Sequence, residues 1–200
     1  MKIGNIQSGS NFRYVGRVLT KNDIENPPSL NDYAVGRFVK IKIREEETEA
    51  FGVIFNNILN SPAYTNYLPI VPEQDERKIL MPDSMIDTAT LIEISFVGLA
   101  KNNSFSQINQ ESSIPPIPVY SEILKASDEE IKKLHQNNGK LQIRYLDLLR
   151  SHSERNFEIV FREIIKQLKN LFPKENMKLE VIFRSFVLSN GLFFPNQPRR

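Results

Sequence analysis

Two hundred residues, 40% of them apolar and 25% charged, are enough to bury a core beneath an ordinary mixed-charge surface. The chain has no cysteine, which excludes disulfides, thiolate chemistry and cysteine-ligated zinc or iron–sulfur sites, and a net charge of +2 does not by itself argue for nucleic acid. No apolar run approaches the ~20 residues that span a bilayer and MKIGNIQSGSNFR lacks a signal-peptide core, so a cytoplasmic location without membrane contact is expected.

In chain order, the amino terminus with Gly4 and Gly9 reads as a short polar segment. Phe12 to Thr20 has the β-branched and aromatic content of a strand, with Gly16 as a bulge or crossing point. Lys21 to Asn31 is a loop, because Asn26-Pro27-Pro28-Ser29 removes backbone donors. Asp32 to Asn57 then reads as a β-hairpin. Val39 to Arg44 alternates apolar and basic residues, so one face is buried, while Ala50 to Phe55 is nearly continuous apolar and suits a strand covered on both sides. Glu45 to Thr48 form the turn between them, and Phe51, Val53 and Phe55 are expected in the barrel core.

Ile58 to Arg77, with Pro62, Pro69 and Pro72, is a long loop of the kind that often carries function. Ile79 to Met81 reads as a short edge strand and Leu91 to Leu99 as the last strong strand. Ile114 to Pro118 reads as an extended segment leaving the barrel. From Ser127 the period becomes helical. Ser127 with Glu130, and Ser151 with Glu154, fit the capping-box spacing. Asn138-Gly139 offers a stop, or a helix runs through it into Leu141 to Arg150. Phe157, Val160, Phe161, Ile164, Ile165 and Leu168 keep one apolar stripe until Pro173, and Leu179, Ile182, Phe183, Phe186 and Val187 give a second. The expected fold is α+β, a small antiparallel β-barrel over residues 1–126 followed by a helical subdomain over 127–200. Charge follows the same division: 12 basic against 15 acidic residues in the first part, 14 against 9 in the second.

Chemistry is harder to find. None of the eight glycines is followed by Lys-Ser or Lys-Thr, so no phosphate loop is present, and no Gly-x-Ser-x-Gly elbow occurs. His135 and His152 stand on helical segments without acidic residues at metal-ligand spacing and read as surface or helix-end residues. No cofactor, metal site, catalytic group or small-molecule substrate is expected. Lys40, Lys42 and Arg44 share one strand face, and Arg162, Lys166 and Lys169 one side of the long helix; either set could neutralise phosphates, although alternating lysines also keep exposed strands soluble. Tyr64, Tyr67, Leu68 and Ile70 in the long loop are the candidate partner-binding residues, since aromatic anchors often dominate an interface.

The barrel half resembles the HAS-barrel, the small β-barrel of HerA-type DNA translocases and of the amino-terminal domains of rotary ATP synthase subunits, and is similar to stand-alone HAS-barrel proteins of cyanobacterial type. Val15-Gly16-Arg17-Val18, Asp32-Tyr33-Ala34-Val35-Gly36-Arg37-Phe38-Val39 and Phe51-Gly52-Val53-Ile54 carry the resemblance. The translocases add an ATPase with a phosphate loop, which this sequence lacks, so nucleotide hydrolysis does not carry over. What the resemblance implies is a barrel used in ring assembly or docking, with no site residue transferred. The expectation is therefore a non-enzymatic assembly or docking module that contacts a protein partner or itself, as an accessory of a ring ATPase or of a DNA-processing complex. The alternative is a nucleic-acid-binding barrel, and an enzyme is a third reading that fold alone does not support.

Overall fold

The structure is a computed structural model that describes residues 1–10, 12–43, 48–60, 89–101, 108–110, 116–137 and 139–189. The expected edge strand Ile79–Met81, turn residues Glu45 to Glu47 and the carboxy-terminal tail lie outside the described residues.

The barrel is built from β1 (Lys2–Gly9), β2 (Arg13–Val18), β3 (Phe38–Ile43), β4 (Thr48–Asn60), β5 (Ala89–Lys101) and β7 (Glu122–Lys125). These run antiparallel around the wall in the order β2-β1-β7-β3-β4-β5, and β2 pairs back onto β5 to close it. A short β6 (Ile108–Asn109) joins the far end of β5. Closure leaves no long open edge, which is how small β proteins avoid strand-to-strand aggregation. Ile3, Ile6, Val39, Ile41, Ile54, Ile92, Ile94 and Ile123 fill the interior as one cluster. Gly16 faces into this packing, where a Cβ would strike the Ile123 side chain. The barrel is a packed core with no lumen at that level.

Two of the six barrel strands are ones the sequence reading did not expect, as are the two-residue strand β6 and those of the hairpin after the first helix. β1 has only Ile3 and Ile6 as large apolar residues, and its polar appearance comes from outward positions such as Lys2, Asn5 and Gln7. β7 follows the proline-rich segment, of which Ile114 and Pro115 lie outside the described residues, and returns the chain to the barrel. The chain turns at Pro118–Ser121, where the Ser121 amide donates to the Pro118 carbonyl at 3.2 Å and Tyr120 takes φ 68°, and re-enters the wall between β1 and β3.

β3 and β4 pair as expected, Phe38 opposite Val53 through Ile43 opposite Thr48, so Thr48, read as a turn residue, is instead the first residue of β4. A further detail is corrected. Phe51, Val53 and Phe55 are buried, yet they face outward from the barrel, and the helices cover them. A strand apolar on both faces needs two covers; here the barrel interior takes Ala50 and Ile54, and the helices take the phenylalanines.

After the barrel come α1 (Asp128–His135), a two-residue hairpin of β8 (Gln136–Asn137) and β9 (Lys140–Leu141), then α2 (Leu146–Ser153), α3 (Phe157–Leu171) and α4 (Asn176–Ser189). The first capping box forms as expected: Ser127 Oγ accepts from the Glu130 amide at 3.3 Å, and the Ser127 amide donates to the Glu130 carboxylate at 2.7 Å. The helix stops at His135, and Gly139 takes φ 74° in the hairpin turn that follows. The second capping box does not form. Ser151 lies inside α2 and donates to the Leu148 carbonyl at 2.7 Å, because burial of Leu146 and Leu149 carries that helix on to Ser153. The stripe from Phe157 to Leu168 is buried as expected, and Ile182, Phe183 and Phe186 of α4 pack against it. The resulting apolar cluster runs across residue 126, joining Phe38, Phe51, Val53, Phe55 and Val97 of the barrel wall to all four helices.

Gly36 shows how closely α3 presses on the barrel. It has φ 85°, its carbonyl accepts from Gln167 Nε2 at 2.7 Å, and an added Cβ would meet the Glu163 Cβ. Gly36→Ala is expected to cost about 1–3 kcal/mol from positive-φ strain and displacement of α3. Urea denaturation measures it, and a loss below about 0.5 kcal/mol would contradict this contact.

Candidate functional site

The basic residues proposed for phosphate contact are mostly engaged with carboxylates. Lys40 sits between Glu49 at 3.3 Å and Glu130 of α1, and all three side chains are largely buried. Burial works against the Lys40 charge, but the hydrogen bond and charge of Glu130, with Glu49, hold its pKa above the ordinary value. Burial likewise opposes the Glu130 charge, and Lys40 and the Ser127 amide outweigh it. Lys40 thus ties the barrel wall to the first turn of α1. Lys40→Ala leaves two carboxylates facing each other and is expected to destabilise by about 2–3 kcal/mol, below the ~3–5 of a fully buried pair. A denaturation midpoint unchanged from wild type would show that the triad contributes nothing.

Arg162 pairs with Glu158, Lys166 with Glu163 and Lys169 with Glu180. Lys42 is exposed on β3, and Arg44 lies outside the described residues. The geometry therefore does not gather the two basic sets into one positive surface. Tyr64, Tyr67, Leu68 and Ile70 also lie outside the described residues. The described part of that region is its stem, where Asn60 of β4 pairs with Ala89 of β5.

At this end of the barrel β2 and β4 finish and β3 and β5 begin, so the chain also places Leu30 here, in the 3-10 turn Leu30–Asp32 between β2 and β3. Leu30 is 77% exposed, Leu59 86% and Ile58 38%, and Met1 at the start of β1 is exposed at the same end. Asp32, in the same turn, is held down to about 2 chiefly by its hydrogen bond from Lys125, then by that from Ser29. The turn that presents Leu30 is thereby fixed to β7.

Sequence reasoning missed the polar cluster on the outer wall under α2. Ser95 of β5 is fully buried, and its Oγ lies 2.9 Å from His152 Nδ1. Two residues earlier, Glu93 accepts from Arg13 of β2 and, at 2.7 Å, from Asn56 Nδ2 of β4. The Phe55 ring packs against His152, and the Arg13 guanidinium lies 5.3 Å from the Phe55 centroid. Burial, then the Arg13 charge, hold His152 below its ordinary pKa, against the pull of Glu93. A serine beside a histidine is the pairing that nucleophilic catalysis uses, but Oγ needs room for a substrate carbonyl, and Ser95 has no exposed surface here. The pair fastens α2 to the barrel. Ser95 and His152 are 57 positions apart, and neither stands in a motif that could have announced the contact.

His135 closes α1, a helix-end position as expected, but it is internal and not at the surface. It is fully buried, with Nδ1 2.8 Å from the Ile131 carbonyl and Nε2 2.8 Å from the Tyr145 hydroxyl. A carbonyl only accepts, so Nδ1 carries the proton and Nε2 accepts from Tyr145. Among the described residues no group of three metal-ligating side chains converges, and no helix is long and apolar enough to cross a membrane.

These features define the class: a closed antiparallel barrel partly covered on its outer wall by carboxy-terminal helices, with apolar side chains exposed at its ends. A family model described as Domain of unknown function (DUF8166) matches residues 1–190, and the chain belongs to that family. No curated protein matches it.

Proposed function

We propose that this chain is a non-enzymatic docking or assembly module of the cytoplasm that contacts a protein partner through the barrel end bearing Leu30, Ile58 and Leu59. The observation that carries this reading is the exposure of those side chains, with Met1, together at the end where the segment between β4 and β5 begins; Phe12, Val119 and Tyr120 at the opposite end and Ile159, Met177 and Val181 on the helices are the other exposed large apolar residues among those described. Exposed leucines scattered singly need no explanation; several on the rim of one barrel end fit an interface. The candidate residues Tyr64, Tyr67, Leu68 and Ile70 belong to the segment between β4 and β5 and would extend the same surface. The resemblance to HAS-barrels supports an accessory role beside a ring ATPase or a DNA-processing complex.

The nucleic-acid alternative rests on the exposed Lys42 and is weakened by the carboxylate partners of Lys40, Arg162, Lys166 and Lys169. Two measurements separate the readings. Affinity capture from native extract with wild type and a Leu30→Ser, Leu59→Ser variant of equal stability is expected to recover a protein partner with the first and lose it with the second. Titration of single- and double-stranded DNA at two salt concentrations is expected to show no binding; affinity that falls steeply with salt would favour the alternative.

A further inference from the structure

Both histidines of the chain act on one short helix. Tyr145 precedes α2 at its amino end, and its hydroxyl is held by His135 of α1. His152 lies in the last turn of α2 and is held by Ser95 of the barrel. The helix is eight residues long, with only Leu146 and Leu149 as its buried large apolar residues. So short a helix depends on tertiary anchors for its stability, and here a neutral imidazole anchors each end.

We propose that α2 is an acid-released latch: protonation of His135 and His152 places a cation in each of the two contacts that hold its ends, and the helix lifts from the barrel wall. A second proton on His135 turns Nε2 into a donor, so the Tyr145 hydroxyl becomes the acceptor and its own proton loses the imidazole nitrogen it was donated to, where His135 has no exposed surface and Tyr145 almost none. The Ile131 carbonyl and the rings of Phe38 and Tyr145 also contact His135, and none of these carries a counter-charge. A charged His152 faces Arg13 from β2 and Glu93 from β5, while β4 offers only the Phe55 ring. Glu93 and the carboxyl end of α2 favour a cation; burial and Arg13 oppose it and prevail. Release would bare Phe55 and neighbouring parts of the apolar wall, a second surface that the neutral protein keeps covered.

The test is amide hydrogen exchange on the full chain at pH 7 and pH 5, corrected for intrinsic rates, with the two imidazoles followed by NMR. A histidine held at about 4 in the closed state and near its ordinary value when released raises opening by roughly ten- to thirtyfold over that range. The α2 amides are therefore expected to lose at least about tenfold in protection and, because they exchange through local opening, to be less protected than those of β1 and β2 at both pH values. The loss is expected to be smaller in His152→Gln, and both imidazoles are expected to titrate below pH 6.5. Protection in α2 equal to that in β1 and β2, the same loss in His152→Gln, or either imidazole titrating at or above 6.5 would each overturn the latch.

Discussion

Phe51→Ala is expected to destabilise the protein by about 3–5 kcal/mol, the usual cost of emptying a buried phenylalanine site. Phe51 has no exposed surface and sits where the β4 wall meets the helices, in the cluster that includes Phe38, Val53, Phe157 and Leu168. The cavity would open between two elements of regular structure held by their own hydrogen bonds, so neither can collapse fully to fill it. A chain ending at residue 126 would keep the interior cluster but bare Phe38, Phe51, Val53 and Phe55. Chemical denaturation checks the point. A loss below about 1 kcal/mol would contradict the packing of the helices on the barrel.

Global stability is expected to fall as pH drops from about 6.5 toward 4, by about 3 kcal/mol from His135 alone. Burial holds the folded His135 at about 4, whereas an unfolded histidine titrates near 6.5, so below 6.5 the unfolded chain binds the extra proton and unfolding is favoured. Above 6.5 both forms are neutral and the full stability is present. His152, also lowered, adds in the same direction. Asp32 acts at lower pH: its carboxyl is held near 2, so its contribution is lost only as pH falls below the ordinary aspartate range. Urea denaturation at pH 7, 6, 5 and 4.5 reads the slope. A profile flat to pH 5 would mean that His135 is not held neutral in the folded chain.

How far the structure could be read from sequence depends on how local each cause is. The alternation from Val39 to Ile43, the stripe from Phe157 to Leu168 and the Ser127–Glu130 cap are written within a few residues, and each forms as expected. β1 and β7 are not legible in this way. β1 has only two large apolar residues in eight and β7 has only four residues, and each becomes a strand because the other five close a barrel that needs it. The two faces of β4 are both apolar, so its period could not say which face met the helices. Among the site residues, Glu158 with Arg162 is a visible four-residue pairing, whereas Glu130 lies 90 positions from Lys40 and Ser95 lies 57 from His152. Basic residues therefore looked available for phosphate when folding had already assigned most of them a carboxylate. The exposed Leu30 and Leu59 drew no notice in sequence, because an isolated leucine in a loop or at a strand end has no pattern until the topology brings its end of the barrel together.

Site-specific photo-crosslinking tests the docking account most directly. Benzoylphenylalanine is placed at position 59, at the barrel end, or at position 177, on the exposed face of α4 where Met177 and Val181 form the competing apolar surface. The full chain is then irradiated in native extract. The account predicts a discrete protein adduct from position 59 that is absent from position 177. An adduct from 177 alone, equal adducts from both, or none from position 59 would contradict docking through this end of the barrel.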